Sequence, residues 1–306
     1  GIEFFHPDLK NNIYYNQGEM GLDENGNDKS SNNIDDDGNG FVDDYMGWDF
    51  TDRTGLPEDS TVDIHNWDNY PYDPVRGTFG HHGTAVAGIA CAVSGNSTGI
   101  AGVAPGIKML NLRAFDNTGN GEDDDVAAAV LYAVKMNARV INMSFGDTKF
   151  SYVLRDVIRY AYSKNVVLVA SSGNSNNDEA HYPSGYEEVI SVGNSTKEDS
   201  YTGTYGSTLD LVAPGTSILS TTMYGGYSEF NGTSAAAPHV AAAAALVLSV
   251  NNNFSNEEVK QILKSTCDDI NSGGWDIRTG AGRLNLNKAL TILSPAKVKF
   301  NYPYQD

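Results

Sequence analysis

A run of small apolar residues near position 240 constrains the fold of this chain more than any other feature. Residues 235–250 are almost entirely Ala, Val and Leu, and Gly232-Thr233-Ser234 leads into them. A helix that is apolar on every side must be buried in a large core. Residues 237–250 are too few and too rich in Ala for a membrane span. We therefore predict a buried central helix.

Ser234 lies in the first turn of this predicted helix. Unpaired backbone N–H groups and the positive end of the helix dipole gather there. Ser234 is therefore either an N-terminal cap, which is the commonest use of Ser at such a place, or a nucleophile whose oxyanion would lie beside N–H donors. The helix by itself leaves both interpretations open.

Strands and helices alternate along most of the chain. Apolar strands with helices between them indicate a parallel sheet that is covered on both faces. We therefore predict an α/β fold with one domain over residues 1–294 and a C-terminal linker over 295–306. The predicted strands are 108–113, 140–143, 166–171, 189–192 and 211–212, and the predicted helices are 85–93, 123–137, 152–163, 257–264 and the helix that Ser234 opens.

The charge balance limits the classes of partner. The chain has 39 Asp and Glu against 20 Lys and Arg, a net charge of −19, which argues against nucleic acid and anionic membranes. Such an acidic excess is consistent with a secreted protein or with a protein that binds cations. Its two cysteines, Cys91 and Cys267, form one bridge or remain two free thiols.

An acidic loop is the clearest candidate for a metal site. Asp35, Asp37 and Asn39 alternate with other residues, glycines allow a sharp turn, and Asp44 follows. Such oxygen ligands suit a hard cation, so we predict structural Ca²⁺ here. The alternative is a surface turn rich in Asp and Asn without an ion, because the full EF-hand spacing does not occur.

Three side chains that could take part in catalysis lie where predicted strands end or predicted helices begin. His82 opens a helix, Asn174 follows the strand 166–171, and Ser234 opens the apolar helix. Such positions meet at the carboxyl edge of a parallel sheet. A base, an amide donor and a hydroxyl are the groups that acyl transfer needs. Each of the three alone could also be a capping, turn or packing residue.

Together these segments closely resemble the subtilisin-like serine proteases (subtilases), from Gly1 to about Leu293. The resemblance implies a three-layer subtilisin-like fold, a mostly parallel central sheet with helices on both faces, and serine endopeptidase activity. Ser234 would be the nucleophile and His82 the general base, while Asn174 and the Ser234 N–H would hold the oxyanion. The motifs that carry it are His82-Gly83-Thr84, Gly102-Val103-Ala104-Pro105, Val140-Ile141-Asn142-Met143-Ser144, Ser172-Gly173-Asn174 and Gly232-Thr233-Ser234 with Ala237-Pro238-His239.

The resemblance also implies a catalytic Asp that these 306 residues lack. In subtilases this Asp lies in a turn that ends the first sheet strand, and Gly1-Ile2 corresponds to the residues just after it. Asp8 is therefore not the triad Asp. Either this chain is a trimmed fragment of a protease, or another acid substitutes. The rival interpretations are a pseudoprotease that binds peptides or regulates a partner, and a calcium-loaded adhesion or structural module.

The family's substrate and metal sites map onto further residues. A peptide or protein substrate in extended conformation would pair with two edge segments, and His181 would lie near the base of the specificity pocket, so that a large aromatic residue fits poorly. A second Ca²⁺ would be bound by Asp8 and Asn96. We expect a monomer, with its own pro-segment as a candidate inhibitor. The implied substrate-binding residues are Ser144, Phe145, Gly146, Gly119, Gly121, Ser171, Ser172, Gly173 and His181.

Overall fold

A computed structural model describes residues 1–51, 67–72, 81–116, 118–271 and 273–293. The predicted linker 295–306 lies outside these residues. The helices are α1 (His82–Cys91), α2 (Asp123–Lys135), α3 (Tyr152–Ser163), α4 (Thr233–Val250), α5 (Asn256–Ser265) and α6 (Leu286–Leu293). The strands are β1 (Trp48–Asp49), β2 (Leu112–Arg113), β3 (Val140–Met143), β4 (Val167–Ser171), β5 (Val189–Ser195), β6 (Tyr201–Thr202), β7 (Leu211–Pro214), β8 (Ile218–Thr222) and β9 (Gly226–Phe230).

A mostly parallel sheet forms the middle layer. β3, β4, β5 and β7 are parallel neighbours, and β6 joins β5 in the antiparallel sense. Every residue of β4 and β5 is buried, because helices cover both faces. Among the described residues, β1 and β2 form a separate parallel pair, and β8 and β9 a separate hairpin.

The helix α4 forms the core on one face of the sheet. Ala236, Val240 and Val247 are fully buried and pack with Val169 and Val192 of the sheet. The helix begins at residue 233, one residue before Ser234, and over its full 18 residues it has the length and composition of a membrane span, but 67% of it is buried inside the protein. It is therefore the buried central helix that the sequence predicts.

The opposite face is covered by α2 and α3. Tyr132 of α2 and Ile158 of α3 are fully buried and pack with Leu168 of β4. The acidic first turn of α2 lies at the positive end of its dipole. The predicted α/β fold with helices on both faces of the sheet is therefore confirmed.

Most predicted elements agree with the structure, and local signals explain why. The bounds of α3 are those predicted, and Ser151 caps its first turn. Ser255 and Glu258 form the predicted capping box of α5. β2 is shorter than predicted, because Met109 makes only an isolated bridge to Ile13. The sequence did not predict the hairpin of β8 and β9.

Candidate active site

Ser234 lies in the first turn of α4, as predicted, and a proline four residues later shapes its surroundings. Pro238 has no N–H, so it cannot donate the helical hydrogen bond to the Ser234 carbonyl. The Ser144 hydroxyl donates to that carbonyl instead, at 3.0 Å. The Ser234 hydroxyl in turn donates to the Ser144 carbonyl at 2.9 Å. Ser144, just after β3, thus binds the start of α4 through two hydrogen bonds.

Asn174 follows β4, and its amide group has a fixed orientation. Its Oδ1 accepts hydrogen bonds from the Thr233 N–H at 3.0 Å and from the Thr233 hydroxyl at 3.1 Å. The Nδ2 amide group is left as a donor, and Asn174 lines the cavity described below. Gly232 precedes Thr233 with a φ of +111°, which the absence of a side chain permits. The backbone therefore brings the first turn of α4 to the oxygen of Asn174.

His82 is the first residue of α1 and stacks edge-on against Phe230 of β9, with ring centroids 5.3 Å apart. Burial is the largest cause that lowers the pKa of His82, to about 4, and His81 adds to it. The imidazole is therefore neutral at pH 7, the form that accepts a proton. A base with so low a pKa is weak until a negative charge raises it.

One cavity joins the three predicted catalytic residues. His82, Asn174 and Ser234 all line a continuous cavity of about 930 Å³. The Ser234 hydroxyl donates to Ser144 rather than to His82 in this state. Catalytic hydrogen bonds in ligand-free sites often form only when substrate binds. The fold thus collects an imidazole, a carboxamide and a hydroxyl that lie far apart along the chain.

The wall of the cavity beside Ser234 contains a histidine between two glycines. A methyl group on Gly146 or Gly173 would overlap or crowd the His181 ring, so both glycines allow the ring its place. The Nδ1 atom of His181 is shielded from solvent and has no hydrogen-bond partner among the described residues. Burial lowers the pKa of His181, although the Ser171 backbone and, to a lesser extent, Asp147 oppose this.

The other predicted substrate-binding residues divide into two groups. Ser172 points away from the cavity, because its hydroxyl donates to the Thr204 carbonyl at 2.9 Å. Gly121 lies against Ala114 and Phe115 and is not on the cavity wall. The remaining predicted residues line the cavity, namely Ser144, Phe145, Gly146, Gly119, Ser171, Gly173 and His181.

Comparison with known proteins identifies the family. The sequence model of the subtilase family matches residues 1–282. The chain belongs to the subtilase family. It is 37% identical to thermitase from Thermoactinomyces vulgaris over 80% of each chain. It is 40% identical to a thermophilic serine proteinase from a Bacillus strain over 72% of this chain, but it spans only 54% of that relative.

A more distant relative and a solved structure extend the comparison. Subtilisin-like protease 1 of Plasmodium falciparum is 32% identical over 97% of this chain and 43% of its own length. The structure of fervidolysin from Fervidobacterium pennivorans, described as a keratinolytic enzyme related to subtilisin, matches with a TM-score of 0.63 and 34% identity. The match covers 69% of this chain and 36% of fervidolysin. The chain therefore has the subtilisin-like fold.

An acidic cluster in this subtilase lies where the sequence predicts calcium, but it contains one acid that the sequence did not predict. Glu19, Asp37 and Asp44 bring carboxylate oxygens within 4.8 Å of one another. Glu19 is fully buried, and its Oε2 has no hydrogen-bond partner in the described structure. Burial raises the pKa of both Glu19 and Asp44. An unpartnered carboxylate oxygen beside two other acids is suited to a hard cation.

Two other predicted metal ligands shape this loop by hydrogen bonds. Asp35 accepts hydrogen bonds from the backbone N–H groups of Asn39 and Gly40, at 3.0 and 2.7 Å. The Asn39 side chain donates to Asp44 at 2.7 Å. Asp35 thus closes the turn, and Asn39 would need to turn its amide oxygen inward to bind an ion. That these two residues bind metal stays a prediction.

The second predicted ion site is surrounded by donors. Asp8 accepts from the Asn96 side chain at 2.6 Å, from the Ile100 N–H at 2.9 Å and from the Tyr227 hydroxyl at 2.9 Å. Burial acts to raise the pKa of Asp8, but these hydrogen bonds lower it overall. Asn96 presents its nitrogen to Asp8, so ion binding there requires an amide rotation, and this site also stays a prediction.

Several residues that support the site were not predicted from the sequence. Glu19 lies in a short 3-10 turn, Gln17–Glu19, far in sequence from the acidic loop it joins. Phe230 belongs to the hairpin that was not predicted. The proline at 238 was the one available signal, because a proline inside a helix leaves a carbonyl that needs another donor.

Proposed function

We propose that this subtilase is a serine endopeptidase that cleaves peptide bonds through an acyl-enzyme. The observation that carries the proposal is that His82, Asn174 and Ser234 line one cavity while the Asn174 oxygen is held by Thr233. The amide nitrogen is therefore the group left to bind an oxyanion. The Ser234 N–H, an unpaired donor of the first helical turn, is the second.

The reaction uses these groups in order. The Ser234 hydroxyl leaves the Ser144 carbonyl and attacks the substrate carbonyl, while His82 takes its proton. Negative charge on the substrate oxygen is bound by the Asn174 amide and the Ser234 N–H. His82 then gives the proton to the leaving amine, and water releases the acyl group by the same steps.

A carboxylate that would orient His82 has one candidate among the described residues of the cavity wall. Of the described residues that line the cavity, Asp116 alone carries a carboxylate. Its Oδ1 accepts from Thr118 and from the Asn120 N–H, so it is committed to its own turn. Without an orienting carboxylate, the triad loses about 10⁴ in rate. This lack, with the low pKa of His82, is also what favours the second candidate, a pseudoprotease that binds peptides.

The substrate would bind in extended conformation beside Ser144, Phe145 and Gly146, with Gly119 on the opposite side of the cleft. The partly buried His181 ring narrows the pocket for the residue before the cut, and its unpartnered Nδ1 atom favours a small or polar side chain there. Exposed acids at the start of α2 (Asp123 and Asp124) either favour a basic residue upstream of the cut or serve only the helix dipole.

We also propose a structural Ca²⁺ bound by Glu19, Asp37 and Asp44, and secretion to a compartment where calcium is abundant. The fit rests on the buried, unpartnered Oε2 of Glu19. When bound, the ion would neutralise carboxylates that are costly to bury. Finding the natural protein in the culture medium rather than in the cell lysate would support secretion.

The proposed activity is tested with a p-nitrophenyl ester of a short acylated peptide. We expect a burst of p-nitrophenol equal to the enzyme concentration, and an acyl group attached to Ser234 by mass spectrometry. The Ser234→Ala variant should show neither. Tight binding of the peptide portion without any acylation would instead favour the pseudoprotease.

A further inference from the structure

The hairpin of β8 and β9 lies beside the proposed catalytic residues, yet the reaction steps above use none of its side chains. Phe230, the last residue of β9, packs edge-on against the His82 ring, with ring centroids 5.3 Å apart. Three residues separate Phe230 from Ser234 along the chain. The hairpin therefore contacts the proposed base and leads directly into the helix that carries the proposed nucleophile.

Two buried hydroxyl groups of β8 bind the start of α1, the helix that His82 begins. The Thr221 hydroxyl donates to the Thr84 carbonyl at 2.7 Å. The Ser220 hydroxyl donates to the Ala85 carbonyl at 2.6 Å. Thr84, Ser220 and Thr221 are all fully buried. These two bonds therefore join β8 to backbone atoms of the first residues after His82.

The two hydroxyl bonds are additional to the hydrogen bonds of the helix. Within an α-helix each carbonyl accepts from the N–H group four residues later, and a carbonyl oxygen has two lone pairs. Loss of a hydroxyl from β8 therefore leaves neither carbonyl without a donor. The main consequence of such a loss is a change in where α1 lies relative to the hairpin.

The close approach of α1 to β8 also depends on a glycine. A methyl group on Gly88 would overlap the hydroxyl oxygens of Ser220 and Thr221, so a larger residue there would push the helix away. At the turn between β8 and β9, the Thr84 hydroxyl lies 3.8 Å from the sulfur of Met223. Contacts with β8 and with the hairpin turn thus define the position of α1.

We propose that Thr221 and Ser220 are positioning residues, which hold α1 against the hairpin and so set the distance between the His82 ring and Ser234. Because β9 continues into the start of α4, a shift of α1 relative to β8 moves His82 but not Ser234. The inference rests on the proposed function, in which His82 takes the proton of Ser234. A displacement of about 1 Å can cost about 10²-fold in rate.

The test compares three substitutions in the full 306-residue chain. Thr221→Val keeps the branched shape but replaces the hydroxyl, which lies 2.7 Å from the Thr84 carbonyl, with a methyl group. A carbon atom approaches a carbonyl oxygen only to about 3.3–3.6 Å, so α1 must move away by roughly 0.6 Å or more. Thr221→Ser retains the hydroxyl. Ser228→Ala removes an exposed hydroxyl of β9 directly across from Ser220 and is the matched control.

Two measurements decide the proposal. NMR records the ring-proton shifts of His82, which depend on its position beside the Phe230 ring, and fluorophosphonate labelling records the reactivity of Ser234. In Thr221→Val we expect the ring signals to move and labelling to slow by at least about tenfold. Thr221→Ser and Ser228→Ala should retain both values of the unsubstituted chain. If Thr221→Val does not fold, Thr221→Ala removes the same bond without a methyl group against the carbonyl, and the same result is expected.

The competing explanation is that packing of α1 against α4 alone places His82. Unchanged ring signals in Thr221→Val, moved ring signals with unchanged labelling, or an equal effect of Ser228→Ala would overturn the proposal and leave the proposed function standing. If the unsubstituted chain is not labelled at all, the proposed function fails. Ring signals that move in Thr221→Val and return in Thr221→Ser would then still show that the Thr221 hydroxyl positions His82.

Discussion

Ser144 and Ser234 exchange hydrogen bonds, each hydroxyl donating to the other residue's carbonyl, at 3.0 and 2.9 Å. One of these bonds replaces the helical bond that Pro238 cannot make. The pair connects the end of β3 to the start of α4 and so fixes the position of Ser234 relative to the cleft. In the proposed mechanism, the Ser234 hydroxyl exchanges this partner for His82 when substrate binds.

Removing the Ser144 hydroxyl should destabilise the fold through the Ser234 carbonyl. We expect Ser144→Ala to lower the free energy of unfolding by about 1–2 kcal/mol, because the carbonyl loses its donor. In a Pro238→Ala background the helix supplies an N–H, so the same change should cost less than about 0.5 kcal/mol. Urea unfolding of the four proteins measures both. Equal costs in the two backgrounds would contradict the role assigned to Pro238, and exposed Ser249→Ala serves as the neutral control.

Two substitutions of Asn174 should separate its effect on the acylation rate from its effect on the stability of the fold. Asn174→Asp retains an oxygen for Thr233 but loses the donor, so stability should change little while acylation slows by at least 10²-fold. Asn174→Ala loses both the oxygen that accepts from Thr233 and the amide donor, so this variant should acylate slowly and should be less stable. The loss of the corresponding donor in subtilisin itself costs about 10²–10³ in kcat. Acylation of Asn174→Asp at the unsubstituted rate would show that this side chain does not bind the oxyanion.

Calcium should stabilise the chain more at neutral than at acidic pH. Burial raises the pKa of Glu19 and Asp44. In the ion-free fold, these two carboxyl groups therefore stabilise the folded state when the pH is below the ordinary carboxyl pKa. That stabilisation is lost as the pH rises through their raised pKa values. Calcium offsets that loss, by about 2.7 kcal/mol at 100 times its Kd.

The measurement is Tm with Ca²⁺ and with EDTA between pH 4 and pH 7.5. The gain from Ca²⁺ should grow with pH, and Glu19→Gln should raise Tm in EDTA while weakening the response to Ca²⁺. Identical Tm values with Ca²⁺ and EDTA at every pH would refute the site.

Titration of His82 should reflect its burial. With a pKa near 4 against an ordinary 6.5, the folded chain binds fewer protons than the unfolded chain between these values. Stability should therefore fall as the pH is lowered from 6.5 to 4. NMR titration of the His82 ring gives the midpoint directly, and His82→Gln should remove that part of the pH dependence. A midpoint at or above 6.5 would contradict the burial argument.

His181 should control the size of the residue accepted before the cut. Because its ring fills the space beside Gly146 and Gly173, we expect His181→Ala to raise the acylation rate with Phe esters relative to Ala esters by roughly tenfold, about 1.4 kcal/mol of differential binding. An unchanged Phe/Ala ratio, with Ala esters still accepted, would remove His181 from the pocket wall.

The sequence could predict features that local chemistry determines. Ser151 and the capping box at Ser255 define the starts of α3 and α5, and the apolar run identified α4. The same logic located His82, Asn174 and Ser234 at strand and helix ends. These positions follow from alternation of strands and helices, which needs no knowledge of distant contacts.

Features that depend on tertiary contact could not be predicted from the sequence. Glu19 meets Asp37 and Asp44 only because the chain folds back, and no local pattern marks it. The family resemblance implies Ser172 on the pocket wall, yet its hydroxyl donates to the Thr204 carbonyl. β2 is shorter than the apolar segment 108–113 predicts, because the length of a strand depends on the strand with which it pairs.

The most direct test of the catalytic account is the rate and position of fluorophosphonate labelling, followed by peptide mapping. The account predicts labelling at Ser234 alone, at least 10²-fold slower in His82→Ala and absent in Ser234→Ala. Labelling spread over other serines, or labelling of Ser234 that His82→Ala leaves unchanged, would show that the three residues share a cavity without forming a catalytic site.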